Sequence, residues 1–263
     1  MEIKKIGSMT NKPFTALLYC APGVGKSTAI GSIAEHSKGN TLVLDVDRTV
    51  QRTLAKGEVV KDTSKILVAE VDNIHTFASW TKLLKEEITA DFLKSNNIRT
   101  VAVDNISELE RCILSDLGAQ GKNKGVPAMS DYQYMQFQLV NSLRWMKAWG
   151  VNIVWTAWED VRAIVQPDGS QYSQLIPKIS TKILDNICGL CDVVGKIMVN
   201  KDGVHGIVLD ATQSIYAKNQ IDVRKGCRVE EFTDFNKGVK AVESGKDHKN
   251  ETGNSDNNSD EQK

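Results

Sequence analysis

An α/β fold, with a mostly parallel sheet, helices on both faces and hairpins closing its carboxyl-terminal end, is predicted by three observations. Short β-branched runs alternate with helical patterns from residue 14 to residue 199. A glycine-rich loop ending in Gly25-Lys26-Ser27 stands between an apolar run and a helical pattern. Two further apolar runs, TLVLDVD and TVAVD, end in aspartate, at the end of a strand where open α/β sheets place their ligands.

Taken in order, strands are expected over Phe14 to Cys20, Thr41 to Val46, Ile66 to Val71, Arg99 to Val103, Val151 to Ala157 and Val193 to Val199. Helices are expected over Ser27 to His36, Ile74 to Leu93, Ser107 to Leu117, Asp131 to Trp149 and Thr181 to Leu190. Pro167-Asp168-Gly169 and Lys201-Asp202-Gly203 read as turns within two β-hairpins. The final residues, SGKDHKNETGNSDNNSDEQK, hold no large apolar side chain and cannot offset the entropy of becoming ordered. The expected organisation is an N-terminal extension over 1–13, one domain over 14–243 and a disordered acidic tail over 244–263.

Composition sets limits on function. The 263 residues carry 33 basic and 33 acidic side chains, which excludes a globally basic nucleic-acid coat and leaves a local basic groove open. The tail holds three lysines and five acids, so the remainder has 30 basic against 28 acidic residues and is slightly positive. Five cysteines, odd in number and mostly in apolar surroundings, point to a reducing compartment. Cys188-Gly-Leu-Cys191 has a metal-like spacing but no second pair, so buried thiols are expected there. His36, His75, His205 and His248 suggest no ligand set. No apolar run approaches the roughly 18 to 20 residues that span a bilayer, and the start lacks a signal-peptide core, so a soluble cytoplasmic protein without a membrane partner is expected.

The strongest chemical signal is Ala21-Pro22-Gly23-Val24-Gly25-Lys26-Ser27-Thr28. Glycines let backbone N–H groups turn toward phosphate oxygens, and the helix start adds partial positive charge. Lys26 would reach the β- and γ-phosphates, and the Ser27 hydroxyl would serve Mg²⁺, a hard cation that favours oxygen. Cys20 occupies the position where the motif usually begins with glycine, so the backbone there must suit a side chain. Nucleotide binding follows.

Asp104 ends an apolar strand and is placed to hold the water shell of Mg²⁺, with Glu108 one helical turn on as support; capping the next helix is its other possible role. Asp45 and Asp47 end another strand, and one of them, by preference Asp47, could orient an attacking water; a solvated turn pair with Arg48 is the alternative. Thr156 could hydrogen-bond the γ-phosphate or that water. Trp155 and Trp158 beside it read as core or as stacking platforms. In the glycine-rich stretch GAQGKNKGVPAMS, Lys122 and Lys124 could neutralise nucleic-acid phosphates while Tyr132 and Tyr134 stack on bases; a solvated loop competes with that role.

The ordered series YCAPGVGKST, LDVDRT, VAVDNISEL, DYQYMQFQLVNSLRWMKAWG, IVWTAWE, IPKISTKILDNICGLCDVVGKI and YAKNQ resembles the RecA-like phage ATPases, in particular the Sak-type single-strand annealing and recombinase group, over most of residues 14–220. The resemblance implies a RecA-like P-loop core that binds ATP and Mg²⁺ and acts on single-stranded DNA in phage recombination, within the bacterial host's cytoplasm. It also implies a ring or filament of identical subunits and a single-strand DNA-binding protein as a possible partner. Carried across, it gives Lys26 and Ser27 to ATP and Mg²⁺, Asp104 to the metal, Asp47 to the catalytic glutamate's place, and Lys218 to a basic element that completes a neighbouring site. The chain departs from the family where Asp47 is one methylene short, where Trp158 replaces histidine and where Gln220 replaces arginine. The departures at Asp47 and Gln220 favour a variant in which ATP gates strand annealing with little turnover. A small-molecule phosphotransferase ranks last, because no arginine-rich lid is visible, and a GTPase is disfavoured by the lack of an Asn-Lys-x-Asp element.

Overall fold

The computed structural model describes residues 12–56 and 60–235. In chain order the elements are β1 (Thr15–Cys20), α1 (Lys26–Glu35), β2 (Asn40–Asp45), α2 (Val50–Leu54), β3 (Ile66–Glu70), α3 (Thr76–Lys82), α4 (Ala90–Ser95), β4 (Ile98–Asp104), α5 (Ile106–Gln120), α6 (Met129–Ala148), β5 (Asn152–Val165), β6 (Gln171–Pro177), α7 (Thr181–Leu190), β7 (Val193–Val199), β8 (His205–Val208), β9 (Lys218–Asn219) and β10 (Gly226–Arg228). The expected tail over 244–263 and residues 1–11 of the expected extension lie outside the described residues.

The strands form one mixed sheet in the order β10-β8-β7-β1-β5-β4-β2-β3. From β7 to β3 all neighbours are parallel, while β8 and β10 add antiparallel at one edge. Strand β6 folds back on β5, and β9 pairs with β7. The predicted α/β class, mostly parallel with late hairpins, is the observed one. Among the described residues no helix is long and apolar enough to cross a membrane.

Strand β1 is buried along its whole length, the condition that a continuous apolar run encodes. Its side chains alternate between two layers. Leu17 and Tyr19 join Trp80, Leu109, Leu139 and Trp155 on one face of the sheet. Ala16, Leu18 and Cys20 pack with Ala29, Ile30 and Ile33 of α1 on the other. Each leucine or isoleucine among them contributes roughly 1.5–3 kcal/mol on leaving water. The loop after β1 is therefore anchored by apolar burial both before and after it.

Three elements differ from expectation. The single helix predicted from Ile74 to Leu93 is broken: α3 passes into a π-helical turn over Leu83–Glu87, and α4 starts afresh beyond Thr89. Ile88, non-helical and buried, interrupts the helix, and the Thr89 hydroxyl accepts the Phe92 N–H as a new N-cap. The unpredicted α2 has only five residues and draws its capping from outside itself, since the Asp45 carboxylate accepts the N–H groups of Thr49 and Val50. Strand β5 continues eight residues past Ala157, because its second half pairs with β6 instead of with the parallel sheet.

One buried polar pair in the helical layer is fully matched. The Trp80 indole donates to Ser142 Oγ at 2.8 Å, and that hydroxyl donates in turn to the Gln138 carbonyl at 2.7 Å. A Ser142→Ala variant leaves the indole N–H without an acceptor at a fully buried site. A loss of about 1–3 kcal/mol is expected in a denaturant titration; an unchanged midpoint would show that Trp80 finds another partner.

Candidate functional site

The phosphate loop takes the backbone course that its glycines permit. Gly23 lies at φ 81° and Gly25 at φ 116°, both in the region that disfavours a side chain. Cys20 needs no such angle, because it is still the last extended residue of β1. Gly25 is the N-cap of α1, and its carbonyl accepts the Ala29 N–H at 2.8 Å. Ala21 to Thr28 thus form the turn from strand to helix, with the start of α1 facing the carboxyl end of the sheet. The Lys26 ammonium has no ion pair or hydrogen bond among the described residues, although the residue is largely buried.

Asp104 stands beside it. Its Oδ2 accepts the Ser27 hydroxyl and its Oδ1 the Thr156 hydroxyl, each at 2.6 Å. The first bond spans 77 residues of sequence and ties the phosphate loop to β4. Burial pushes the Asp104 carboxyl above the usual carboxylate range, and the two hydroxyls pull it back. Two hard oxygen donors, a serine hydroxyl and a buried carboxylate, meet at the phosphate loop, a donor set that suits Mg²⁺.

The capping role weighed for Asp104 belongs to its neighbour. Asn105 Oδ1 accepts the Glu108 N–H at 2.9 Å and caps α5. Sequence reading passed over Asn105, although an asparagine three residues before a glutamate at a helix start is a capping signal. Its amide also donates to Asp47 Oδ2 at 2.9 Å, while Asp47 Oδ1 accepts the Thr49 hydroxyl at 2.7 Å. Asp47 is thereby held toward β4, and the solvated pair with Arg48 is not formed, since Arg48 turns to Glu70. The support expected for Asp104 from Glu108 comes instead from Ser27 and Thr156.

One expectation needs correction. Thr156 is fully buried with its hydroxyl on Asp104, so it positions that carboxylate and does not face a γ-phosphate or a water in the crevice. Lys218, expected to complete a neighbouring site, lies away from its own chain's phosphate loop. Its ammonium donates to the carbonyls of Cys188, Gly189 and Cys191, at 3.2, 3.1 and 2.7 Å, where it closes the carboxyl end of α7 and opposes the helix dipole.

Trp155 is a core residue whose indole lies on Met146 Sδ; Trp158 is half-exposed with the Arg111 guanidinium over its ring. Lys122 and Lys124 are exposed on the loop between α5 and α6, and Lys124 has φ 51°. Tyr132 and Tyr134 are exposed on the first turns of α6, where Tyr134 meets Phe77 edge to face. Since α3 follows the carboxyl end of β3, this patch lies toward the same end of the sheet as the phosphate loop. Met129 and Phe137, 79% and 70% exposed, extend it and were not singled out in the sequence. The thiols of Cys20, Cys112, Cys188 and Cys191 are buried, and burial pushes that of Cys188 up to about 12. Among the described residues no cluster of ligating side chains could hold a metal in the manner of a zinc site.

A family model described as an AAA domain matches residues 12–221. No curated protein is similar enough to match. Among solved structures, the chain is similar to a KaiC-like protein from the hyperthermophilic archaeon Pyrococcus horikoshii, with 13% identity over 75% of this chain and 79% of that one and a TM-score of 0.44. It is also similar to a RadB recombinase, with 12% identity over 75% of this chain and 80% of that one and a TM-score of 0.45.

Two outcomes follow from the local electrostatics. Burial raises the Asp45 carboxyl to about 6, with Asp47 and Asp104 adding to the shift, so the folded state holds this proton more tightly than the unfolded chain does. The ionisation penalty is absent below about pH 4 and complete above about pH 6, at a magnitude on the order of 1–3 kcal/mol. The stability difference between Asp45→Asn and the wild type should therefore move in favour of the variant as pH rises through that window; a difference independent of pH refutes the assignment. Lys218→Ala should lower stability by about 1 kcal/mol and leave ATP affinity unchanged, as thermal unfolding and equilibrium binding would report.

Proposed function

Because the chain belongs to the AAA domain family, we propose that it binds ATP with Mg²⁺ and hydrolyses it while acting on single-stranded DNA. The observation that carries the reading is the hydrogen bond from Ser27 at the loop-to-helix junction to the buried Asp104 at the end of β4. Backbone N–H groups of Ala21 to Thr28, apart from Pro22, cradle phosphate oxygens, and the unpaired Lys26 ammonium neutralises the β- and γ-phosphates. Ser27 and Asp104 would hold Mg²⁺, which when bound would offset phosphate charge and help to orient the γ-phosphate. Asp47, held by Asn105 and Thr49, orients the attacking water and accepts its proton. Thr156 fixes Asp104 from behind.

Lys122 and Lys124 meet the DNA backbone, and Tyr132 and Tyr134 stack on bases. The motif series supports phage recombination as the setting, in the host cytoplasm, with identical subunits assembling and a single-strand DNA-binding protein as partner. The domain occupies 14–243, with an acidic tail over 244–263.

A second reading, ATP-gated annealing with little turnover, is favoured by one observation. Lys218 is committed to the end of α7, and Gln220 carries no charge, so this segment presents no cation to a neighbour's phosphates.

Hydrolysis measured for the wild type and Lys26→Ala, with and without single-stranded DNA, tests both. Lys26→Ala should bind ATP at least about tenfold more weakly and lose turnover. Wild-type turnover no higher than that of the mutant would discard the hydrolase and keep the gated module. Wild-type binding no tighter than that of the mutant would discard both. Rates unaffected by DNA would count against the DNA assignment.

A further inference from the structure

We propose that His205, from the hairpin joining β7 and β8, is an additional nucleotide-binding residue that donates a hydrogen bond from Nε2 to a phosphate oxygen at the Thr28 side of the loop. This rests on reading the loop as an ATP site. Sequence placed the histidine 180 residues away from Gly25, with nothing to join them. The fold brings them into contact. A Cβ added at Gly25 would lie 2.7 Å from His205 Cε1 and 2.8 Å from Nδ1, and 3.6 Å from Thr28 Cβ. The imidazole edge therefore occupies the space that a side chain at Gly25 would need, beside the last residue of the loop.

The two ring nitrogens differ. Nδ1 is enclosed and has no hydrogen-bond partner, whereas Nε2 lies on the open edge of a half-buried ring and has no partner among the described residues. An enclosed N–H without an acceptor is rarer and costlier than an enclosed lone pair. The proton of the neutral ring is accordingly assigned to Nε2. An unpaired donor then stands at the rim of a loop whose backbone N–H groups converge on anions. It also explains why Gly25 must remain glycine: beyond its φ of 116°, the space for a Cβ is already taken.

Position on the sheet accounts for the placement. β8 pairs antiparallel with β7, His205 lies opposite Val199, and β7 runs parallel to β1. The hairpin thus rises past the carboxyl end of β1, where the phosphate loop begins. A ligand in the loop would be contacted from α1 and β4 on one side and from this hairpin on the other.

The experiment compares MgADP affinity and ligand-free melting temperature for the wild type, Lys26→Ala, His205→Phe and His205→Gln. Phenylalanine fills the space against Gly25 without a donor; glutamine keeps a donor. His205→Phe should bind MgADP about tenfold more weakly with an unchanged melting temperature, and His205→Gln should recover part of that loss. The wild type supplies a readout that needs no variant: MgADP should shift the ¹⁵N resonance of His205 Nε2 and leave those of His36 and His75 in place. Wild-type affinity in His205→Phe with a weakened Lys26→Ala would overturn the histidine's role and leave the ATP site standing. An unmoved His205 resonance at saturating MgADP would do the same. If the folded wild type fails to bind MgADP, the ATP reading falls and this proposal with it.

Discussion

One buried carboxylate organises this molecule. Asp104 draws a hydroxyl from the start of α1 and another from the middle of β5, so three separate stretches of chain converge on two oxygen atoms. A charge in such a setting is costly unless its acceptor positions are filled. The strand order makes that possible. β5 lies between β1 and β4, which sets Thr156 within reach of Asp104 while the loop after β1 arches over to it. If the two strands were adjacent, Asp104 would lie nearer to the loop but would lack its second donor.

Around that centre the site balances like charges. Asp45, Asp47 and Asp104 crowd the ends of β2 and β4, and burial together with these neighbouring charges raises the proton affinity of Asp45 and Asp104, yet each of the three has its own satisfied partners. Asp45 is used up as the cap of α2, Asp47 is clamped by Asn105 and Thr49, and Asp104 takes the two hydroxyls. Against them stands Lys26, buried and without a counter-ion among the described residues. Fixed acids beside an unanswered ammonium are the arrangement on which the proposed binding of a phosphate ligand with a divalent cation rests.

Much of this is legible in the sequence. Glycines at 23 and 25, the lysine and hydroxyl that follow, and a strand ending in aspartate are signals whose chemistry is local, and the structure gathers them at one end of the sheet. What escaped was non-local. The capping function of Asn105 hid behind the more conspicuous Asp104, and the break at Ile88 lay in a segment with continuous helical periodicity. Lys218 illustrates the same limit. A lysine in a motif-like segment suggested a role at a neighbouring subunit's phosphates; within its own chain the backbone carbonyls at the end of α7 hold it. No spacing rule reveals where a flexible side chain spends its charge. His205 belongs to the same class, since contact with Gly25 exists only once β7 and β8 have paired.

The five cysteines take on a different meaning in this light. None is in a disulfide, and Cys20, Cys112, Cys188 and Cys191 are shut away in the layers on either side of the sheet. With burial holding the Cys20 thiol up at about 11, almost none of it is thiolate at neutral pH, and reagents that attack thiolates find no target while β1 stays paired. Cys20 is the residue from which the phosphate loop departs. The speed at which it becomes alkylated is therefore a clock for the opening of that strand end, and it reports the local free energy of the loop's foundation without any label or substitution.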